Sequence, residues 1–128
     1  MQKRALRIAI ADDEVDMRDF LQKILPRLGH DVVCVAEGGN ELVDEVLRTK
    51  PDLVITDLKM PDGDGLTAVS RIWEEHPVPV IIISAYPQDM SARPVRQDLI
   101  AAVLVKPVKS IDLERAIEKL IAQLPSSE

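Results

Sequence analysis

A chain of 128 residues, 46% hydrophobic but only 2% aromatic, is expected to form one domain around an aliphatic core. Its net charge of −6 argues against broad electrostatic binding to nucleic acid or to an anionic membrane, since both need clustered Lys and Arg. The one cysteine, Cys34, has no partner for an intrachain disulfide, which fits a reducing cytoplasm.

The opening MQKRALRIAIADDE is basic and then apolar, but acids arrive too early for a signal peptide. No later stretch approaches the roughly 20 apolar residues of a membrane span, so a cytoplasmic location is expected. Short β-branched-rich runs recur along the chain: LRIAIA (6–11), DVVCVA (31–36), DLVITD (52–57), PVIIIS (79–84) and AVLV (102–105). Such near-continuous apolarity predicts parallel strands covered on both faces. Between the runs, apolar residues return at helical spacing. Met17, Phe20, Leu21, Ile24, Leu25 and Leu28 form one set, Leu42, Val43, Val46 and Leu47 a second, and Leu66, Val69, Ile72 and Trp73 a third. Pro26 is expected to end or bend the first helix. A fourth helix, in QDMSARPVRQDLI, is the weakest, with Pro94 in its middle. A last helix carries Ile111, Ala116, Ile117, Leu120, Ile121 and Leu124, with Ser110 as its N-cap. Five β/α repeats predict right-handed βαβ units and a doubly wound α/β fold with a five-stranded parallel sheet.

In an open parallel sheet, ligands bind beyond the carboxyl ends of the strands. The first strand ends in Asp12, Asp13 and Glu14, the third in Asp57, the fourth in Ser84 and the fifth in Lys106 and Pro107. Clustered carboxylates repel one another unless a cation intervenes, and an oxygen-rich site suits a hard divalent ion such as Mg²⁺. Lys106 and Ser84 then remain as donors for an anion. Metal, ammonium and hydroxyl together match a phosphoryl group, so transfer of one onto Asp57 is chemically open. Taken singly, each residue has a plainer reading: Asp12 and Asp13 as helix caps, Asp57 as a turn residue, Lys106 as a surface lysine. Asp62 and Asp64, in a Gly-rich turn, read as structural. His30 and His76 border turns and read as solvated or capping residues. Cys34, Met60 and Met90 read as packing residues.

Together these motifs resemble the receiver domain of two-component response regulators. The matching residues are the pair Asp12-Asp13, the loop Asp57-Leu58-Lys59-Met60-Pro61 with Gly63 and Gly65, then Ser84-Ala85, and Lys106-Pro107. The resemblance implies a flavodoxin-like (βα)5 fold over residues 1–124; the tail at 125–128 reads as frayed, no output domain is expected within the chain, and it is read as either a stand-alone receiver or a receiver cut from a longer regulator. It implies that Asp57 is the phosphoacceptor for a phosphohistidine on a sensor histidine kinase or phosphotransfer protein. It further implies that Asp12, Asp13, Asp57 and the backbone carbonyl of Lys59 hold Mg²⁺ or Mn²⁺. Lys106 would pair with Asp57 before reaction and with a phosphoryl oxygen after it, Ser84 would bind another phosphoryl oxygen, and the Lys106–Pro107 bond would be cis. The partners implied are that kinase and a downstream protein or a separate output domain, without direct binding of nucleic acid or membrane. A phosphorylation-dependent dimer stays open. The family's turnover is confined to self-phosphorylation and slow self-hydrolysis, so the chain is not expected to be an enzyme.

The chain departs from the family at Val103, where receivers often carry an aromatic switch, and at Leu99 and Ile100, where small residues are usual. The segments SAYPQ and VKPV are similar to those of antiterminator-type receivers. Lys59 and Tyr86 would flank an acyl phosphate and shield it from water, predicting slow self-dephosphorylation. Two rivals stand beside this reading. A receiver-like interaction module would work without phosphorylation. An aspartyl-nucleophile phosphatase would need a general acid two residues after Asp57, where Lys59 stands.

Overall fold

The computed structural model describes residues 4–86 and 96–125. Five strands form one parallel sheet: β1 (Arg7–Ala11), β2 (Asp31–Ala36), β3 (Leu53–Asp57), β6 (Val80–Ser84) and β7 (Ile100–Val105), in the order β2-β1-β3-β6-β7. A two-residue antiparallel pair, β4 (Lys59–Met60) and β5 (Gly63–Asp64), shapes the loop after β3. Four helices are described: α1 (Val15–Arg27), α2 (Gly39–Thr49), α3 (Gly65–Trp73) and α4 (Ser110–Gln123). The doubly wound α/β fold expected from the alternation of apolar runs is the one observed.

Strand burial follows position in the sheet. Every residue of the central strands β3 and β6 is buried, whereas the edge strands β2 and β7 alternate in part with exposed positions. Successive side chains point to opposite faces of a strand, so the sheet divides two aliphatic cores. Ala9, Val54, Ile82 and Cys34 pack with Leu42 and Val46 of α2 and Val69 and Ile72 of α3 on one face. Ile8, Ile10, Ile55 and Ile83 pack with Leu21 and Leu25 of α1 and Leu113 and Ile117 of α4 on the other. With only three aromatic residues in the chain, β-branched and leucine side chains supply most of this burial, at about 25 cal/mol per Å².

Pro26 lies in the last turn of α1, which ends one residue later at Arg27, close to the proline as expected, because Pro offers no N–H to the i→i−4 ladder. Other local expectations need correction. Ser110 is the first helical residue of α4, and the capping position is Lys109, which makes no side-chain cap bond. Ile111 is 45% exposed instead of lying in the core. His30 is buried, its Nδ1 accepting the Leu6 N–H at 3.0 Å, so it closes the β1 end of the core and is not solvated. His76 places Nε2 3.0 Å from the Pro51 carbonyl. The fourth helix expected in QDMSARPVRQDLI falls largely on residues outside the described set, as does Met90. Of that segment, Gln97–Leu99 forms a 3-10 turn leading into β7.

Candidate functional site

Sheet register assembles the site. Ala11 pairs with Thr56, so Asp12 and Asp57 emerge side by side at the carboxyl ends of β1 and β3. Asp57 lies opposite Ile83, one residue before Ser84, and Ser84 lies opposite Val105, one residue before Lys106. Backbone bonds extend this alignment past the strands: Asp12 N–H donates to the Ala36 carbonyl, Leu58 N–H to Ile83, and Lys106 N–H to Ser84. Strand order reverses between β1 and β3, which opens a crevice over their ends. A cleft of about 640 Å³ sits there, lined by Asp13, Glu14, Asp57, Ser84, Tyr86 and Lys106 among others.

Lys106 Nζ donates to Asp57 Oδ2 at 2.8 Å and to Glu14 Oε1 at 2.6 Å, and lies 3.1 Å from Asp12 Oδ2. The Lys106–Pro107 bond is cis, as the sequence suggested. Burial by itself would push the Lys106 ammonium down, but its bonds to Asp57, Glu14 and Asp12 outweigh burial and hold it above its ordinary value. Burial raises the Asp12 carboxyl; the Glu14 N–H and Lys106 oppose this only in part. Hydrogen bonding to Lys106 lowers Glu14.

Asp12 and Asp57 are buried, Asp13 is exposed, and each offers a carboxylate oxygen within 4.8 Å of the others. An all-oxygen donor set, with one acid at the solvent edge, fits a hard divalent cation and leaves room for its water ligands. Asp57 Oδ1 accepts the Lys59 N–H at 3.2 Å, which ties the backbone of Lys59 to the same carboxylate. Ser84 Oγ accepts the Tyr86 N–H at 2.9 Å, an arrangement that leaves its own O–H to donate. Lys59 and Tyr86 both line the cleft, and the Lys59 ammonium stands 5.0 Å from the centre of the Tyr86 ring.

Asp12, Asp13, Asp57, Ser84 and Lys106 therefore meet at one edge of the sheet, and Lys59 joins them through its N–H. Asp62 and Asp64 do not join them, in keeping with their structural reading. Asp64 caps α3 by accepting the Thr67 N–H at 2.7 Å, and Asp62 caps α2 through Gly39 and Asn40. Two contacts were missed. Arg18 donates to the Asp12 carbonyl at 2.9 Å and so braces the end of β1. Glu14 holds Lys106, and the only hint in the sequence was a third acid after the aspartate pair. Gly65 is required by a close approach: a Cβ there would run into the Asp57 backbone carbonyl.

Residues 8–118 match the family described as the response regulator receiver domain. The chain is 37% identical over 117 residues to the transcriptional regulatory protein PdtaR of Mycobacterium tuberculosis, covering 91% of this chain and 57% of that protein. It is 32% identical over 122 residues to a protein-glutamate methylesterase/protein-glutamine glutaminase of Archaeoglobus fulgidus, covering 93% of this chain but 35% of the relative. The chain thus spans between about a third and rather more than half of these relatives. Among solved structures, the receiver domain of Erythrobacter litoralis PhyR superposes with a TM-score of 0.83 at 26% identity, covering 97% of each chain. PhyR from Brucella abortus gives 0.83 at 27% identity over 94% of this chain and 49% of that one. With this fold, these strand-end residues and a family match running from β1 into α4, the chain belongs to the response-regulator receiver family of two-component signalling.

Proposed function

We infer that the protein is a phosphorylation switch in which Asp57 accepts a phosphoryl group from a histidine kinase or phosphotransfer protein. The observation that carries this reading is the Lys106–Asp57 contact of 2.8 Å beside the Asp12, Asp13 and Asp57 carboxylates. An Asp57 oxygen attacks phosphorus, the bond from phosphorus to the donor nitrogen or oxygen breaks, and the donor leaves with the electron pair. Lys106 follows the phosphoryl oxygens, and the Ser84 hydroxyl donates to another of them. Asp12, Asp13, Asp57 and the Lys59 carbonyl would hold Mg²⁺ or Mn²⁺, which supplies neutralisation of the acid cluster and of the incoming phosphoryl charge.

Phosphorylation replaces a carboxylate by a bulkier group of higher charge, and so biases loop positions and partner affinity. The output face in this reading is that of β7 and the segment 88–99 expected to form a helix before it; on β7, Val103 and Val105 are 38% and 54% exposed. Turnover is confined to self-phosphorylation and slow self-hydrolysis; the methylesterase activity of the Archaeoglobus relative is not carried over. A cytoplasmic place fits the kinase partner, and no helix among the described residues is long and apolar enough to cross a membrane.

The exposed Val103, in place of a buried or rotating aromatic, favours a second reading: a receiver fold that binds its partner without phosphorylation. Incubation with Mg²⁺ and acetyl phosphate, followed by intact mass, separates the two. One added phosphoryl group that vanishes in Asp57→Asn supports the switch. An unmodified wild-type protein, with both acetyl phosphate and a kinase, supports the second reading.

A further inference from the structure

Lys106 shares its ammonium among three carboxylates, and the shortest contact goes to the most exposed of them. Glu14 Oε1 lies at 2.6 Å, against 2.8 Å for Asp57 Oδ2 and 3.1 Å for Asp12 Oδ2. The Glu14 side chain is 62% accessible, whereas those of Asp57 and Asp12 are 10% and 1% accessible. Glu14 occupies the N-cap of α1 but makes no cap bond with its side chain. Its backbone N–H is fixed instead by Asp12 Oδ1 at 2.9 Å, which aims the residue at the mouth of the cleft. The carboxylate is thus turned away from the helix and toward a lysine 92 residues distant in the chain.

An ammonium has three N–H donors, and three carboxylate oxygens crowd Lys106 Nζ within 3.1 Å, two of them as hydrogen-bond acceptors. A phosphoryl oxygen arriving at Asp57 gains one of those donors only by displacing an acceptor. Asp57 is the attacking group, and Asp12 is held by burial and by the Glu14 N–H. Glu14 alone faces solvent and competes from outside.

We propose that Glu14 is a positioning residue that restrains Lys106 at the cleft mouth and so slows phosphoryl transfer to Asp57. The proposal rests on the phosphoacceptor reading above. In the reaction with acetyl phosphate, an Asp57 oxygen forms a bond to phosphorus, the bond to the acetyl oxygen breaks, and acetate leaves with the pair. Lys106 must turn toward the phosphoryl oxygens as charge moves, and the Glu14 bond opposes that turn. The negative charge of Glu14 also repels an anionic donor, but Asp16 lines the same cleft and shares that effect. Among the described residues, the ion pairs of Lys106 are with Asp12, Glu14 and Asp57 and not with Asp16.

The experiment times phosphorylation by intact mass with Mg²⁺ and acetyl phosphate for the wild-type chain, Glu14→Gln, Glu14→Asp and Asp16→Asn. At saturating acetyl phosphate, where donor repulsion no longer limits the rate, Glu14→Gln is expected to react about two- to fivefold faster, the range an exposed ion pair supplies. Glu14→Asp keeps the charge but is one methylene shorter, and is expected to be faster as well. Asp16→Asn is expected to stay near the wild-type rate there. A Glu14→Gln rate at or below wild type, or an equal gain in Asp16→Asn, overturns the role of Glu14. A wild-type protein that gains no mass with either acetyl phosphate or a kinase overturns the phosphoacceptor reading and this proposal with it.

Discussion

Asp62 and Gly39 are 23 residues apart, yet the Asp62 carboxylate accepts the Gly39 N–H at 2.6 Å and the Asn40 N–H at 2.8 Å. The loop after Asp57 thereby caps the helix that follows β2, and a Cβ on Gly38 would come within 2.7 Å of the same carboxylate. Bonds from the Asn40 and Gly39 amides lower the Asp62 carboxyl below its ordinary value. A depressed carboxylate stabilises the fold above its unfolded value and loses that effect as pH falls through its folded one. Asp62→Ala is expected to lower the melting temperature by a few degrees at pH 7 and by less in acid. Phosphorylation by acetyl phosphate should persist, and its loss would show Asp62 to be part of the site.

Lys59 and Tyr86 line the same cleft as Asp57, with the Lys59 ammonium 5.0 Å from the centre of the Tyr86 ring. An exposed cation–π pair is worth about 0.5–1 kcal/mol, enough to bias the two groups toward staying together beside the acceptor, where they would hinder an attacking water. Lys59→Asn with Tyr86→Ala is expected to shorten the lifetime of the phosphorylated form several-fold, followed by loss of the added mass after the donor is removed. An unchanged or longer lifetime would sink the shielding role.

Gly65 stands where its Cβ would overlap the Asp57 carbonyl, while its N–H donates to Leu58 at 2.7 Å. Gly65→Ala must push α3 away from the end of β3, and overpacking of this kind costs about 1–3 kcal/mol. The expected result is a lower denaturant midpoint with an unchanged slope, together with slower phosphorylation because Asp57 moves.

Cys34 is buried in the core beneath α2, and burial pushes its thiol up from 9.0 to about 12. It is therefore expected to resist iodoacetamide at pH 8 in the native state and to react on unfolding. Because the folded value is the higher one, the native state keeps its proton while the unfolded chain loses it. Stability is intact below about pH 9 and falls between pH 9 and 12, with a slope of up to about 1.4 kcal/mol per pH unit. Cys34→Ala should flatten that part of the stability curve; an identical slope in both proteins would contradict the burial argument.

Much of the fold could be read in advance because its signal is local. A run such as DLVITD has no polar face to offer solvent, so it belongs in the middle of a covered sheet, and β3 is buried throughout. The site could be read for a related reason: parallel strands deliver their last residues to one edge, whatever their separation in sequence. What escaped depends on side-chain reach. His30 appeared to be a turn residue, and only its pairing with the Leu6 amide buries it. Glu14 and Arg18 look like ordinary helix-surface charges, and their partners are set by the tertiary fold. Ser110 is a favoured capping residue that falls one position inside its helix.

The chain's one tryptophan has a practical consequence. Gly65, at the start of α3, touches the Asp57 backbone, while Trp73 closes the same helix and donates its indole N–H to the Val78 carbonyl at 2.8 Å. Eight residues of helix, about 12 Å, carry it toward the amino end of β6, away from the acids. Tryptophan emission, excited apart from Tyr86 in the cleft, therefore watches the buried scaffold from the far end of α3. Folding can be followed by that light and phosphorylation by mass on one sample.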